Sequence, residues 1–260
     1  MANVELLFLG TGTSAGVPMI GCHCPVCDST DPHDKRTRPS VVISSAGVRV
    51  LVDATPELRL QCVANRVDAI DSVVITHGHA DHIMGMDDLR RFNTIKNGPL
   101  DIWADAATHT TITRCFNYAF EAQQDPKLFR PQLIRRVIEG PFDIGPMRFH
   151  PIELVHGKMP VLGFRVGRVA YCTDVNFIPE QSYELLKDLD VLVLDALTHR
   201  KHAAHFSLEE AVAEATKIGA RQTLFTHIAH GMAHEATNNQ LPPNIRLAHD
   251  GLLVIGRGAE

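Results

Sequence analysis

The densest chemistry in the chain lies between Val73 and His82, V-V-I-T-H-G-H-A-D-H. An apolar, β-favouring run delivers His77, His79, Asp81 and His82 within six positions, and Ile83–Leu89 reads as the helix that leaves. Neutral imidazole and carboxylate are good ligands for zinc or manganese, and the end of a strand lets several converge without burying unpaired charge. A His-rich surface turn is the bland alternative. It loses ground because similar donors recur at other strand ends: His156 after Met147–Val155, Asp174 after Val169–Cys172, and His227 after Gln222–Phe225. Asp53, directly after the strand Val48–Val52, is placed to accept a hydrogen bond from a metal-binding histidine and orient its ring.

A second cluster, Cys22-His-Cys24-Pro-Val-Cys27, has the Cys-X-Cys-X2-Cys spacing that can wrap three thiolates round one tetrahedral zinc, with a fourth ligand from elsewhere. A redox-active thiol group is its main competitor. Cys62, Cys115 and Cys172 stand singly in regular-looking runs and read as small buried hydrophobes. The loop Gly10-Thr-Gly-Thr-Ser-Ala-Gly16 could offer N–H groups to an anion or simply make a tight turn; it lacks the ending of a P-loop. Lys158, Arg90 and Arg91 are candidates to hold a phosphate, with a solvated face as the alternative for the two arginines.

The elements that must position these groups follow from periodicity and punctuation. Ser40–Ser44 and Val48–Val52 read as a hairpin, as do Val161–Val166 and Val169–Cys172. Pro56–Arg66, Asp105–Phe120 and Pro179–Leu189 read as helices, and Val4–Leu9, Leu100–Trp103, Val191–Leu194, Arg246–Leu247 and Leu252–Ile255 as strands. Ser207-Leu-Glu-Glu210 is a capping box that should open a helix running to Gly219. Residues 121–140 read as a connection without a core of its own. This order fits two mixed sheets packed face to face with helices outside, although pattern alone leaves a single mixed α/β sheet open.

The 260 residues suffice for a substantial core, and 45% hydrophobic with 21% charged residues is ordinary for a globular protein. A net charge of −5 argues against a dedicated nucleic-acid binder but not against a phosphorylated substrate at a metal site. The sequence offers no signal-peptide pattern and no apolar run near the roughly 20 residues a membrane helix needs, so the expectation is a cytoplasmic protein with reduced thiols and no membrane partner.

The His77-X-His79-X-Asp81-His82 motif resembles the signature of the metallo-β-lactamase-fold hydrolases, and the likeness extends across nearly the whole chain. It implies an α/β fold, a four-layer αββα sandwich with two mixed sheets forming a single domain over residues 1–260, with the zinc loop at 21–39. It implies that His77, His79 and His156 hold one divalent metal, that Asp81, His82 and His227 hold another, and that Asp174 bridges them. The Gly-Thr-Gly-Thr-Ser start, the cysteine cluster, His205-Phe-Ser and Thr226-His-Ile-Ala-His230 narrow the resemblance to the PhnP type, phosphodiesterases that open phosphoribosyl cyclic phosphate in phosphonate breakdown. By that resemblance His230 completes a structural zinc with Cys22, Cys24 and Cys27. The general acid falls on His205, which residue type alone does not distinguish from His199 and His202. His205 and Asp81 are thus the candidate catalytic residues. The function implied is hydrolysis of a small, cyclic phosphodiester by metal-bridged hydroxide, with two manganese or zinc ions and one structural zinc. A homodimer is suggested by the resemblance alone. The rivals are a transfer-RNA 3′-processing endonuclease, which usually carries a basic arm not found here, and a non-catalytic zinc-structured binding protein of quinone-cofactor biosynthesis.

Overall fold

The computed structural model describes residues 2–121 and 129–258. Among these residues fourteen strands are distributed over two seven-stranded sheets. The first sheet takes β1 (Val4–Gly10), β2 (Ser40–Ser45), β3 (Val48–Val52), β4 (Ser72–Val74), β5 (Leu100–Ala104) and β6 (Leu133–Val137), with β14 (Leu253–Gly256) on the outer side of β1. The second takes β7 (Phe142–Ile144), β8 (Met147–His156), β9 (Met159–Val166), β10 (Val169–Cys172), β11 (Val191–Asp195), β12 (Gln222–Thr226) and β13 (Ile245–Leu247) in spatial sequence order.

Each sheet is half antiparallel and half parallel. Strands β14, β1, β2 and β3 pair antiparallel, whereas β3 to β6 run parallel. Likewise β7 to β10 are antiparallel and β10 to β13 parallel. Alternation along the strands explains why they face each other. Leu6, Phe8, Val41, Ile43, Val50 and Val52 point inward to meet Phe149, Phe164, Val166, Tyr171 and Val193 in the buried layer between the sheets. The opposite faces are covered by helices: α1 (Leu58–Ala64), α2 (Ala80–Ile83), α3 (Arg90–Lys96) and α4 (Ala106–Phe116) over the first sheet, α5 (Leu208–Ile218) over the second. The fold is the αββα sandwich, and its two mixed sheets remove the alternative of one mixed sheet. A short α6 (His234–Asn238), not expected from the sequence, follows β12.

Several boundaries follow from local chemistry. Ser207 and Glu210 make both reciprocal bonds of the capping box that opens α5, and Gly219 closes it in the left-handed region. Asp105 caps α4 through the Thr108 N–H. The helix expected directly after the metal-ligand motif is instead broken into α2, a 3-10 turn at Met86–Leu89 and α3. Gly85 stands between α2 and the 3-10 turn, where only glycine fits, because a Cβ would stand 1.9 Å from the Thr55 carbonyl oxygen. Residues 180–186 form a 3-10 segment where an α-helix was expected. The stretch 121–140, expected to be a connection without a core of its own, contains β6 at the sheet edge; four of the strand's five residues are exposed, so no apolar alternation announces it. The rest of that expectation, residues 122–128, lies outside the described residues. Cys62 and Cys172 are buried as expected, but Cys115 is exposed on α4. Among the described residues no helix is long and apolar enough to cross a membrane.

Candidate metal centre

The candidate donors emerge at one end of the sandwich, where the parallel strands of both sheets finish. Ligands gather at such carboxyl ends because the departing loops are free to turn inward. Three of these residues leave their strands through the left-handed region: Asp53 at φ 66°, Asp174 at 54° and His227 at 60°. For residues other than glycine this costs about 1–3 kcal/mol each, and it persists where the surroundings over-determine it. Those surroundings are visible at Asp53. Its backbone N–H donates to the Val74 carbonyl, the Ala54 N–H to the His82 carbonyl and the Gly85 N–H to the Ala54 carbonyl. The loop after β3 is thereby fastened to the histidine motif.

Two groups of donor atoms result, each with every member within 4.8 Å of the others: His77, His79, His156 and Asp174, and Asp81, His82, Asp174 and His227. Asp174 belongs to both. Its Oδ1 lies 3.3 Å from His82 Nε2, and its Oδ2 lies 3.4 Å from His227 Nε2, 3.7 Å from His77 Nε2 and 4.0 Å from His156 Nε2. Asp81 Oδ2 is 3.5 Å from His82 Nε2 and 3.7 Å from His227 Nε2. Two donors each bonded to one cation at the lengths usual for nitrogen and oxygen stand about 3.0–3.5 Å apart, so these spacings are close to the edges of a coordination polyhedron. The Nε2 atoms of His77, His82 and His227 and the Oδ2 of Asp81 are buried without a hydrogen-bond partner. Orphaned polar atoms converging on one point are what a cation would satisfy. Mixed imidazole and carboxylate donors fit zinc or manganese.

The far sides of the rings are held by protein. His82 Nδ1 donates to Asp53 Oδ2 at 2.7 Å. His77 Nδ1 donates to Thr76 Oγ1 at 3.0 Å, which in turn donates to Asp53 Oδ2 at 2.9 Å. His156 Nδ1 donates to the Ala204 carbonyl at 2.7 Å. Each bond fixes the tautomer so that Nε2 faces the centre. Burial works against charge here, yet the nearby His227 and His82 rings outweigh it and hold the Asp174 carboxyl well below the usual carboxylate range. Burial and the adjacent His82 ring depress His77. For His227 burial is overcome by Asp174 and Asp81, which bring it up to about 9.

His205 stands on one flank, with its ring 4.5 Å from those of both His156 and His227. Its Nδ1 donates to Asp195 Oδ2 at 2.6 Å, and the same oxygen accepts the Val175 N–H at 2.8 Å. Asp195, Thr76 and the Ala204 carbonyl are the parts that sequence reasoning missed. Asp195 ends an apolar strand, the signal that singled out Asp53, but nothing in the sequence shows that the loop 196–204 folds back to bring His205 to it. His199 and His202 are exposed on that loop, and His202 approaches His205 at 5.2 Å between ring centres.

The cysteines gather elsewhere. Cys22, Cys24, Cys27 and His230 place their donor atoms within 4.8 Å of one another, and His230 Nδ1 is 3.3 Å from the sulfurs of both Cys22 and Cys24. Backbone N–H groups of Met19 and Cys27 point at the sulfurs of Cys27 and Cys24. The Cys27 N–H, followed by the His230 ring, lowers the Cys24 thiol to about 6, whereas burial pushes Cys27 up to about 11. Four donors of this kind suit a closed tetrahedral zinc.

Lys158 is exposed in the turn between β8 and β9, one residue beyond Gly157, whose backbone abuts Ala204. Arg90 does not reach the centre. It pairs with Asp87 and lies 5.6 Å over the Phe129 ring, in an outer groove that Arg91 also lines. In the Gly10–Gly16 loop the N–H groups of Gly12, Thr13 and Gly16 donate to the carbonyls of Thr37, Ile228 and Thr13 and are not available to an anion.

The family model described as the β-lactamase superfamily domain matches residues 48–228. The crystal structure of a diphosphatase from the PhnP family superposes with a TM-score of 0.93 at 41% identity, covering 100% of both chains. The zinc-bound PqqB of Methylobacterium extorquens shares the fold at 18% identity, with a TM-score of 0.79 over 96% of this chain and 99% of that one. An octanoyltransferase of Porphyromonas gingivalis is 35% identical over 97% of this chain but 51% of its own length, so the chain spans about half of that relative. The chain belongs to the β-lactamase superfamily and, within it, to the PhnP family. It has the metallo-β-lactamase fold.

Proposed function

We propose that the chain is a dinuclear metal-dependent phosphodiesterase that hydrolyses a small, cyclic phosphodiester resembling phosphoribosyl cyclic phosphate. The observation that carries this reading is the pair of donor groups sharing the buried Asp174, with the His205–Asp195 pair on their flank. His77, His79 and His156 would hold one metal, Asp81, His82 and His227 the other, and Asp174 both; Cys22, Cys24, Cys27 and His230 would hold a structural zinc. When bound, two divalent cations supply hydroxide near neutral pH and positive charge opposite the phosphoryl oxygens.

The protein's own residues do the rest. Asp195 commits the Nδ1 of His205 to one hydrogen bond, so Nε2 is the atom that holds and delivers a proton. A new P–O bond forms as hydroxide adds, the opposite P–O bond breaks, and the departing alkoxide takes the Nε2 proton. The product is a phosphomonoester with a free hydroxyl, and Asp195 stabilises the ring while it is charged. Asp53 and the Ala204 carbonyl keep His82 and His156 from turning away during turnover.

A diphosphate diester is the second reading, favoured by the 41% identity to a PhnP-family diphosphatase. An anhydride releases a phosphate, which needs a proton less than an alkoxide does. Metal-loaded protein should therefore be offered an aryl phosphodiester, 2′,3′-cyclic nucleotides, phosphoribosyl 1,2-cyclic phosphate, a diphosphate diester, precursor transfer RNA and a thiolester. Turnover of the cyclic esters supports the first reading, and turnover of the diphosphate alone the second. Activity confined to transfer RNA or the thiolester would overturn both. Metal analysis should find about three metals per chain, two of them lost in the His77→Ala, Asp81→Ala double variant. One metal, unchanged by that variant, would point to a non-catalytic zinc protein.

A further inference from the structure

At the end of the second sheet away from the metals, a cavity of about 660 Å³ is walled by arginine. Arg148 comes from the start of β8, Arg165 from the end of β9, Arg168 from the turn into β10 and Arg257 from the segment after β14. His150 and Leu185 also line it; among the described residues Asp188 is its one carboxylate, and no lysine takes part. Arg148 and His156 stand near opposite ends of β8, roughly 25 Å of extended strand apart, so the cavity is separate from the metal centre. Its walls are fixed. The Arg168 N–H donates to the Arg257 carbonyl, and the Arg168 carbonyl accepts the N–H groups of Asp190 and Val191. A Cβ at Gly167 would stand 2.6 Å from the Arg257 carbonyl oxygen, so the turn between β9 and β10 is pressed against the segment after β14. Three carbonyls pin the Arg165 guanidinium, Gly167 on Nε at 2.8 Å and Leu185 and Lys187 on Nη1 at 2.9 and 3.0 Å, and its Nη2 is left for a ligand. Arg148 pairs with Asp143 and Arg257 with Asp190, but the Arg168 side chain has no hydrogen-bond or ion-pair partner among the described residues. Burial, followed by Arg168, lowers Arg165; burial, followed by Arg148 and Arg165, lowers His150. Like charges are thus held together at a cost that a bound anion would remove.

We propose that this cavity binds an oligophosphate, a linear run of two or three phosphoryl groups, free or carried on a nucleoside. Arg165 and Arg168 are its principal contacts, with Arg148 and Arg257 flanking them from β8 and the segment after β14. A guanidinium presents paired donors in a plane that matches phosphoryl oxygens, so a wall of arginine without lysine points to phosphate chemistry. Four arginines from four segments give several separate contacts, which suit a run of phosphoryl groups better than a single one. The volume lies in the range usual for small-molecule sites, and the net charge of −5 disfavours a long polyanion such as nucleic acid. None of the lining residues belongs to a group of metal donors, so the oligophosphate is a ligand held there and not a substrate cleaved there. The site stands independently of the phosphodiesterase reading.

The test is calorimetry on the full-length, metal-loaded protein with inorganic triphosphate, ATP, orthophosphate and adenosine. Triphosphate and ATP should each bind at about one per chain, and adenosine should not bind. Equal affinities for triphosphate and ATP would show that the phosphates alone are recognised, whereas tighter ATP would add the nucleoside, with the His150 ring and Leu185 as its surface. In Arg148→Ala, Arg168→Ala both should weaken at least about tenfold. The urea midpoint of that variant should stay in place, because the Arg168 side chain has no partner to lose and the Arg148 pair is exposed. Arg168→Lys, which keeps the charge without the planar fork, should fall between wild type and Arg168→Ala. The His77→Ala, Asp81→Ala variant should bind as the wild type does. Binding that disappears in that variant and survives in the arginine variant would belong to the metal centre and overturn the site. Absence of binding, or orthophosphate held as tightly as triphosphate, would overturn it equally.

Discussion

His205 and Asp195 set the sharpest expectation for single side chains. If Nε2 delivers the proton, the loss on substitution depends on how badly the leaving group needs it. Asp195→Asn and His205→Ala should each lower kcat by about 10²–10⁴ for an ester whose leaving group is a sugar alkoxide. The loss should be far smaller for a nitrophenyl ester, whose leaving group departs as a stable anion. Equal losses on both esters would make the pair structural. The histidine donors carry a second expectation. In the metal-free protein burial opposes charging of His82, but Asp174 and Asp53 outweigh it and raise the ring well above its ordinary range; His227 rises to about 9 for a similar reason. The carboxylates thus favour the protonated form of both rings in the metal-free protein, and a metal must displace those protons. Loading should release protons, and affinity should fall as pH falls. Calorimetry in buffers of different ionisation enthalpy checks this: the apparent binding enthalpy should vary with the buffer, and one common value would refute it.

The positions of these side chains depend on how strands end and loops close, and Gly85 is where one closure is tightest. A Cβ at Gly85 would meet the Thr55 carbonyl oxygen at 1.9 Å, while the Gly85 N–H holds the loop that carries Asp53. Gly85→Ala should cost about 1–3 kcal/mol in urea unfolding, with weakened metal binding through a displaced Asp53. Gly98→Ala, where a Cβ meets open space, should stay within about 0.5 kcal/mol. Equal stabilities for the two would mean that the loop after β3 yields freely. Most of this framework was legible because an apolar run that stops at Asp53, His77, Asp174 or His227 changes character within one residue. The hairpin of β2 and β3 and the capping box of α5 were equally plain, since turn and cap chemistry are local. What escaped was of two kinds. Edge strand β6 buries Leu133 and exposes the other four residues, so it lacks the alternation that marks a half-buried strand. Asp195 lacked a partner on paper because its hydrogen bond to His205 depends on the stem between Leu197 and Phe206, a contact with no local signature.

The two donor clusters are joined through the chain as well as through space. His227 and His230 follow β12 on one short loop, three positions apart, and His230 reaches the cysteines while His227 reaches Asp174 and Asp81. The N-terminal loop is fastened to the same region: the Gly12 backbone pairs with Ile228, the His234 N–H donates to Asp34, and buried Arg36 donates to Thr11 and the Ala248 carbonyl. A structural zinc would thus brace the segment that presents His227, whereas His77, His79 and His156 are held from the other strands. Removing the brace should be felt unequally. In Cys27→Ser, which takes one thiolate from the closed site, metal should be lost first from that site and next from the position built on Asp81, His82 and His227. The position built on His77, His79 and His156 should keep the higher affinity. Titration of chelator-treated protein with zinc, followed by metal analysis after dialysis, would show occupancy falling from about three per chain toward one. Replacing Cys115, which is exposed on α4 and belongs to neither cluster, should leave all the metals in place. Loss of the structural metal with both other positions equally tight would show that the clusters, though covalently adjacent, do not support one another.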